Sequence, residues 1–137
     1  MEPSVDIKVR PESDIPAIRT IMMPRDTNPN GTIFGGIILS FIDQAGIIEA
    51  MRQAPHTYVT VKMNEVVFKK PVMVGDIISC WAKTKSIGDT SIIVTVDVYA
   101  CHSDRIGKKK ILVTSAEVVY VALDRTGRPT PIFEQPE

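Results

Sequence analysis

The sequence predicts an α+β fold, one long helix set against an antiparallel sheet, and three observations carry that prediction. β-Branched residues dominate the aliphatic content: 18 Ile and 15 Val stand against 3 Leu. Such stiff side chains fit a pleated surface better than a helix face. One segment combines helical spacing with helical length. From Gly35 to about Gln53, apolar residues recur at Ile38, Ile42, Ala45 and Ile48, where a strand would alternate. The rest reads as strands joined largely by short turns, in the order strand, helix, then four strands.

Residues 1–16 hold Pro3, Pro11 and Pro16 among charges and are expected to form a loose leader to a single domain, 17–125. Ala17 to Met23 reads as a short strand. Asn28-Pro29-Asn30-Gly31 is a dense turn signal. Gly35-Gly36 opens the helix and Ala54-Pro55 ends it, because a residue before proline avoids the α conformation. Thr57 to Phe68 is expected as a strand with Val59, Val61 and Met63 on one face, and Tyr58, Thr60, Lys62 and Asn64 on the other. Val74-Gly75-Asp76 turns the chain into a strand from Ile77 to Ile87. After a turn at Gly88-Asp89, Ser91 to Ala100 alternates, with Ile92, Val94, Val96 and Val98 set against Ser91, Thr95 and Asp97. A basic loop, Arg105 to Lys110, leads to a last strand from Ile111 to Leu123. Asp124-Arg125-Thr126-Gly127 ends it, and 126–137 reads as a Pro-rich tail.

Composition excludes several classes. The 137 residues make one domain. Sixteen Lys+Arg balance sixteen Asp+Glu, which argues against a strongly basic nucleic-acid binder. Cys80 and Cys101 form neither a disulfide framework nor a metal-ligand spacing. The start of the chain lacks the basic-then-apolar pattern of an export signal. The longest apolar region, 33–51, is interrupted by Asp43, Gln44 and Glu49, so it is not a membrane span. A reduced, cytoplasmic protein without a bound metal is expected.

Asp43 is the residue that points to chemistry. It falls in mid-helix, so neither N-capping nor the first-turn dipole accounts for it. Its helical neighbours form a mostly small stripe, Gly36, Leu39, Ser40, Gly46, Ile47 and Ala50, which leaves room beside the acid. The opposite side, Ile38, Phe41, Ile42, Ala45 and Ile48, is expected to fill the core. The backbone N–H groups of Gly35 and Gly36, with a helix dipole behind them, suit a developing oxyanion. Neither His56 nor His102 accompanies a nucleophile elbow, and no phosphate-binding loop is present.

These residues resemble a family. Pro24-Arg25-Asp26-Thr27-Asn28, Gly31-x-Ile33-Phe34-Gly35-Gly36, Leu39-Ser40 and Asp43-x-Ala45-Gly46 are similar to the acyl-CoA thioester hydrolases of the hotdog fold, most closely the bacterial YciA type. The resemblance continues through Val59-Thr60-Val61, Phe68-x-Lys70-Pro71-x-x-Val74-Gly75-Asp76 and Val121-Ala122-Leu123-Asp124. It implies a central helix wrapped by a five-stranded antiparallel sheet. It also implies protomers joined edge to edge, as a dimer and then a hexamer built as a trimer of dimers, with active sites at the interface. Asp43 would be the general base, or alternatively a nucleophile giving a mixed anhydride. Asn28 would come from the opposite subunit, and the Gly35 and Gly36 backbone would bind the oxyanion. Thr60, Lys70, Gly88, Thr90 and Ser91 are implied contacts to substrate or coenzyme A, and no cofactor is implied beyond the coenzyme A of the substrate. Neither a nucleic-acid nor a membrane partner is implied.

Two positions depart from the pattern. Phe34 stands where many hotdog hydrolases carry His, as it does in the YciA type. Asp89 stands in a turn where that type commonly has a basic residue. Lys69, Arg105 and Lys108 to Lys110 are further cations that could meet a phosphate. The rival readings are an acyl-CoA sensor using the same pocket without catalysis, and a hydroxyacyl-thioester dehydratase. The second would need a His within 26–46, and there is none.

Overall fold

The computed structural model describes residues 9–102 and 110–133. Among the described residues, strands β1 (Ile18–Ile21), β2 (Thr57–Phe68), β3 (Ile77–Ile87), β4 (Ser91–Cys101) and β5 (Ile111–Leu123) flank a single α-helix, α1 (Gly35–Gln53). The strands form one five-stranded sheet in the order β1-β3-β4-β5-β2, and every neighbouring pair is antiparallel. The sheet wraps α1 as the hotdog arrangement requires.

The core follows from the alternation of β4 and β5. Ile92, Val94, Val96 and Val98 are completely buried, as are Val118, Tyr120 and Ala122. From the helix, Ile38, Ile42 and Ala45 meet them. Ile48, expected on the same face, is 45% exposed instead. The buried stripe is rotated toward Gly46, Glu49, Ala50 and Gln53. Two pairings explain the rotation. Tyr120 fills the space over Gly46. The Glu49 carboxylate accepts hydrogen bonds from Arg52, Gln53 and Thr84, the last at 2.6 Å, so an acid can lie inside.

Arg10 and Pro11, within the segment expected as a loose leader, are tied to the end of α1. Gln53 exchanges hydrogen bonds with the Arg10 backbone, and Arg52 donates to the Pro11 carbonyl. Beyond β5 the chain folds back: Ile132 is buried, its N–H meets the Asp89 carbonyl, and its own carbonyl lies 2.6 Å from His56 Nε2.

β2 departs from simple alternation. Its register with β5 shifts between Thr60 and Lys62 and again between Asn64 and Val67, where Glu65 takes φ 52°. The first shift inserts Val61 as an extra residue and reverses the faces beyond it. Met63, expected beside Val59 and Val61, pairs with the buried Val118. Val59 and Val61 stay exposed. β2 is also an edge of the sheet, so one row of its backbone groups faces outward.

Candidate active site

Asp43 lies two turns into α1, half-buried, facing β2 and β5. Thr60 of β2 donates its hydroxyl hydrogen to Asp43 Oδ1 at 2.6 Å. Tyr120 of β5 places its hydroxyl 2.7 Å from the Asp43 main-chain carbonyl and 3.1 Å from Oδ1. Oδ2 has no hydrogen-bond partner among the described residues. Thr60 and Tyr120 are direct cross-strand partners. Burial, and then the Asp43 charge, push the Tyr120 phenol far above its ordinary range, so it stays a donor. The small stripe beside Asp43 is therefore partly occupied from within, because Gly46 makes room for Tyr120.

Asn28 organises its own loop. Its Oδ1 accepts from the N–H groups of Asn30 at 2.9 Å and Thr32 at 3.1 Å, and its Nδ2 donates to Thr32 Oγ1 at 2.8 Å. The amide carries two N–H donors, so one remains uncommitted. The loop continues through Ile33, whose N–H meets the Val72 carbonyl, and Phe34, whose N–H meets the Asp26 carbonyl. Phe34 holds the N-cap position without a side-chain cap. Helix pairing begins with Ile37, so the N–H groups of Gly35 and Gly36 carry no hydrogen bond among the described residues. A side chain at Gly35 would press on Phe68, whereas Gly36 faces open space.

Lys70 belongs with this group. It lines a groove with Gly35, Ile38, Phe68 and Thr114. The Gly88–Ser91 turn closes β3 onto β4 through a Gly88 N–H to Ser91 carbonyl bond, and the Thr90 carbonyl accepts from Ala122. It sits at the Tyr120 end of the sheet, since Ile92 pairs with Tyr120.

The residues singled out in the sequence thus fall into two groups within one chain. Asp43 and Thr60 lie toward the Gly88–Ser91 turn. Asn28, Gly35, Gly36 and Lys70 lie toward the far end of α1. Sequence reasoning missed Tyr120, although an aromatic in an otherwise small and aliphatic run, 118–123, was a signal. His102 pairs with the buried Asp76, and no hydrogen bond joins either histidine to Asp43. Lys110 lies over the rings of Trp81 and Tyr99. Arg105, Lys108 and Lys109 fall outside the described residues. Among the described residues no helix is long and apolar enough to cross a membrane, and no cluster of His, Cys, Asp and Glu could hold a metal ion.

A fold of this kind, with an acid on the central helix and unpaired N–H groups at its start, is that of the hotdog thioesterases. Residues 30–105 match the model of the thioesterase superfamily. A YciA acyl-CoA thioester hydrolase of Salmonella typhimurium is 40% identical over 117 residues, 84% of this chain and 87% of that one. A hexameric hotdog-fold thioesterase of Campylobacter jejuni is 50% identical, covering 87% of this chain and 90% of that one, with TM-score 0.81. A hexameric thioesterase of Yersinia pestis is 37% identical, covering 89% and 98%, with TM-score 0.82. The chain belongs to the thioesterase superfamily, among the acyl-CoA thioester hydrolases of the YciA type.

Proposed function

We propose that this protein hydrolyses acyl-CoA thioesters to a carboxylic acid and coenzyme A, with Asp43 as general base. The observation that carries the reading is the Asp43 carboxylate, held through one oxygen and open at the other. Water attacks the thioester carbonyl carbon and its proton passes to Asp43. The carbonyl oxygen takes up negative charge, which the Gly35 and Gly36 N–H groups stabilise. The C–S bond then breaks, and the protonated Asp43 returns its proton to the departing thiolate. The uncommitted Asn28 N–H can donate to the carbonyl or orient the water. Its Oδ1 is occupied, so Asn28 acts as donor only.

Helix geometry supports a site built from two protomers. Gly35 and Asp43 are eight residues apart on one helix, about 12 Å along the axis. An oxyanion donor and a base acting through one water must both lie about 3 Å from their targets on a single carbonyl. Even from Gly36, seven residues before Asp43, about 10 Å of axis separates the donors from the base, a span that favours taking them from two helices. Asp43 of one chain would therefore meet Asn28, Gly35 and Gly36 of another. The exposed β2 edge with Val59, Val61, Val67 and Phe68 supplies the surface for edge-to-edge pairing. The hexameric relatives from Campylobacter jejuni and Yersinia pestis support assembly as a trimer of such dimers. The groove beside Gly35, with Lys69 and Lys70 at its rim, suits part of the acyl-CoA. No cofactor is required by this chemistry.

The test is Asp43→Ala, assayed by thiol release from an acyl-CoA. The turnover number kcat should fall about 100- to 10,000-fold while the protein remains folded and binds coenzyme A. Retention of more than about a tenth of wild-type kcat would remove Asp43 as the base, since general-base loss costs more than that.

A further inference from the structure

We propose that Tyr120 and Thr60 are positioning residues that together fix which oxygen of the Asp43 carboxylate faces the reacting water. A carboxylate offers two equivalent oxygens and turns easily about its terminal torsion. A base left free to turn spends much of its time misdirected, and misplacement by about 1 Å can cost about 100-fold in rate.

Here one oxygen is approached from two sides, fully engaged by the Thr60 hydroxyl and reached by the single Tyr120 hydrogen as a bond shared with the Asp43 main-chain carbonyl. Thr60 donates to Oδ1 at 2.6 Å, and the Tyr120 hydroxyl stands 3.1 Å from the same atom. The Tyr120 hydroxyl is itself anchored, 2.7 Å from the Asp43 main-chain carbonyl. Its ring is completely buried and seated over Gly46. The reference point therefore belongs to the same helical residue whose side chain it orients. Thr60 is held by its pairing with Tyr120 across β2 and β5, directly beside the register shift. Bulges re-aim side chains in this way. With Oδ1 engaged, Oδ2 is the oxygen left to accept a proton. The arrangement also moves Thr60 from a substrate contact to a support of the base, because its hydroxyl hydrogen is committed to Asp43.

The inference rests on the reading of Asp43 as base, and the experiment separates the two. Initial rates on butyryl-CoA are measured for the wild type and for Asp43→Ala, Tyr120→Phe, Thr60→Val and Thr60→Ser. Tyr120→Phe keeps the ring over Gly46, and Thr60→Val keeps the side-chain shape. Each should lower kcat about 10- to 100-fold with KM changed less than about threefold, as expected for a group acting in the transition state. Thr60→Ser restores the hydroxyl and should keep at least about half of kcat on the same argument.

Tyr120→Phe and Thr60→Val variants that turn over at wild-type rates, beside an inactive Asp43→Ala, would overturn the positioning role and leave the base intact. An active Asp43→Ala would overturn the base reading itself. A raised KM with unchanged kcat in Thr60→Val would overturn the proposal by making Thr60 a substrate contact. If Tyr120→Phe does not fold, the valine and serine variants at Thr60 decide the matter with their unfolding midpoints measured beside kcat: a kcat loss in Thr60→Val at an unchanged midpoint supports positioning, and a loss that only follows a lowered midpoint overturns it.

Discussion

Tyr120 occupies the place where Gly46 would otherwise carry a side chain: a methyl group there would overlap the phenol oxygen and stand 2.8 Å from two ring carbons. One glycine in the helix and one tyrosine in β5 thereby set the distance between α1 and the sheet beside Asp43. Gly46→Ala should consequently act on both stability and catalysis. Alanine improves helix propensity by about 1 kcal/mol, whereas overpacking a filled core costs about 1–3 kcal/mol. The overlap with a buried ring makes overpacking the larger effect. Denaturant unfolding should show a lower midpoint with the slope unchanged, and kcat should fall with it. An equal or higher midpoint would mean that Tyr120 yields freely.

Asn28 can be tested without dismantling its loop. Asn28→Ala removes two acceptances and one donation, so loop and chemistry change together. It should nevertheless lower kcat more than it raises KM, as a residue acting in the transition state does. Asn28→Asp keeps the acceptor oxygen for Asn30 and Thr32 and removes both amide donors. It should fold with nearly wild-type stability and still lose about 10-fold or more in kcat. Wild-type kcat in both variants would leave Asn28 with a turn-forming role only.

Glu49 is 3% exposed and serves Arg52, Gln53 and Thr84 together. Glu49→Ala leaves those donors without their shared acceptor, and the unfolding free energy should drop by about 1–3 kcal/mol. Because Arg52 and Gln53 also hold Pro11 and Arg10, limited proteolysis should cut more readily near residues 10–11. Unchanged stability would show that the network carries no net energy.

Much of this architecture is legible in the sequence. The strands from Ile77, Ser91 and Ile111 start where the turn residues and alternation put them, and α1 runs from Gly35 to Gln53. What escapes is set by tertiary pairing. The faces of β2 depend on a bulge at Val61, and its second irregularity uses Glu65 at positive φ, where no glycine announces it. The rotation of α1 depends on Gly46 receiving Tyr120 and on Glu49 finding donors on α1 and β3. The spacing of 38, 42, 45 and 48 contains none of that information. Asp43 stood out because a charge on an apolar helix is visible in one dimension. Tyr120 did not, because its meaning lies in what it reaches 77 residues away.

Cys80 is completely buried, and burial pushes its thiol up to about 12. The reactive form is the thiolate, so a thiol reagent used to follow coenzyme A release should leave Cys80 unmodified in the native protein. Peptide mapping after brief exposure should find label at Cys80 only when denaturant is present. Rapid native labelling of Cys80 would contradict the packing of β3 against the core.

The proposed site takes Asp43 from one protomer and Asn28, with the helix start, from another. Mixing Asn28→Ala and Asp43→Ala proteins after reversible dissociation tests it directly. A mixed dimer carries one site with both defects and one with neither. Random assortment makes about half of all dimers mixed, so about a quarter of wild-type activity should return. Activity no greater than the average of the two parent variants, in a mixture proven to contain mixed dimers, would place both residues in one protomer's site and contradict a site shared between protomers.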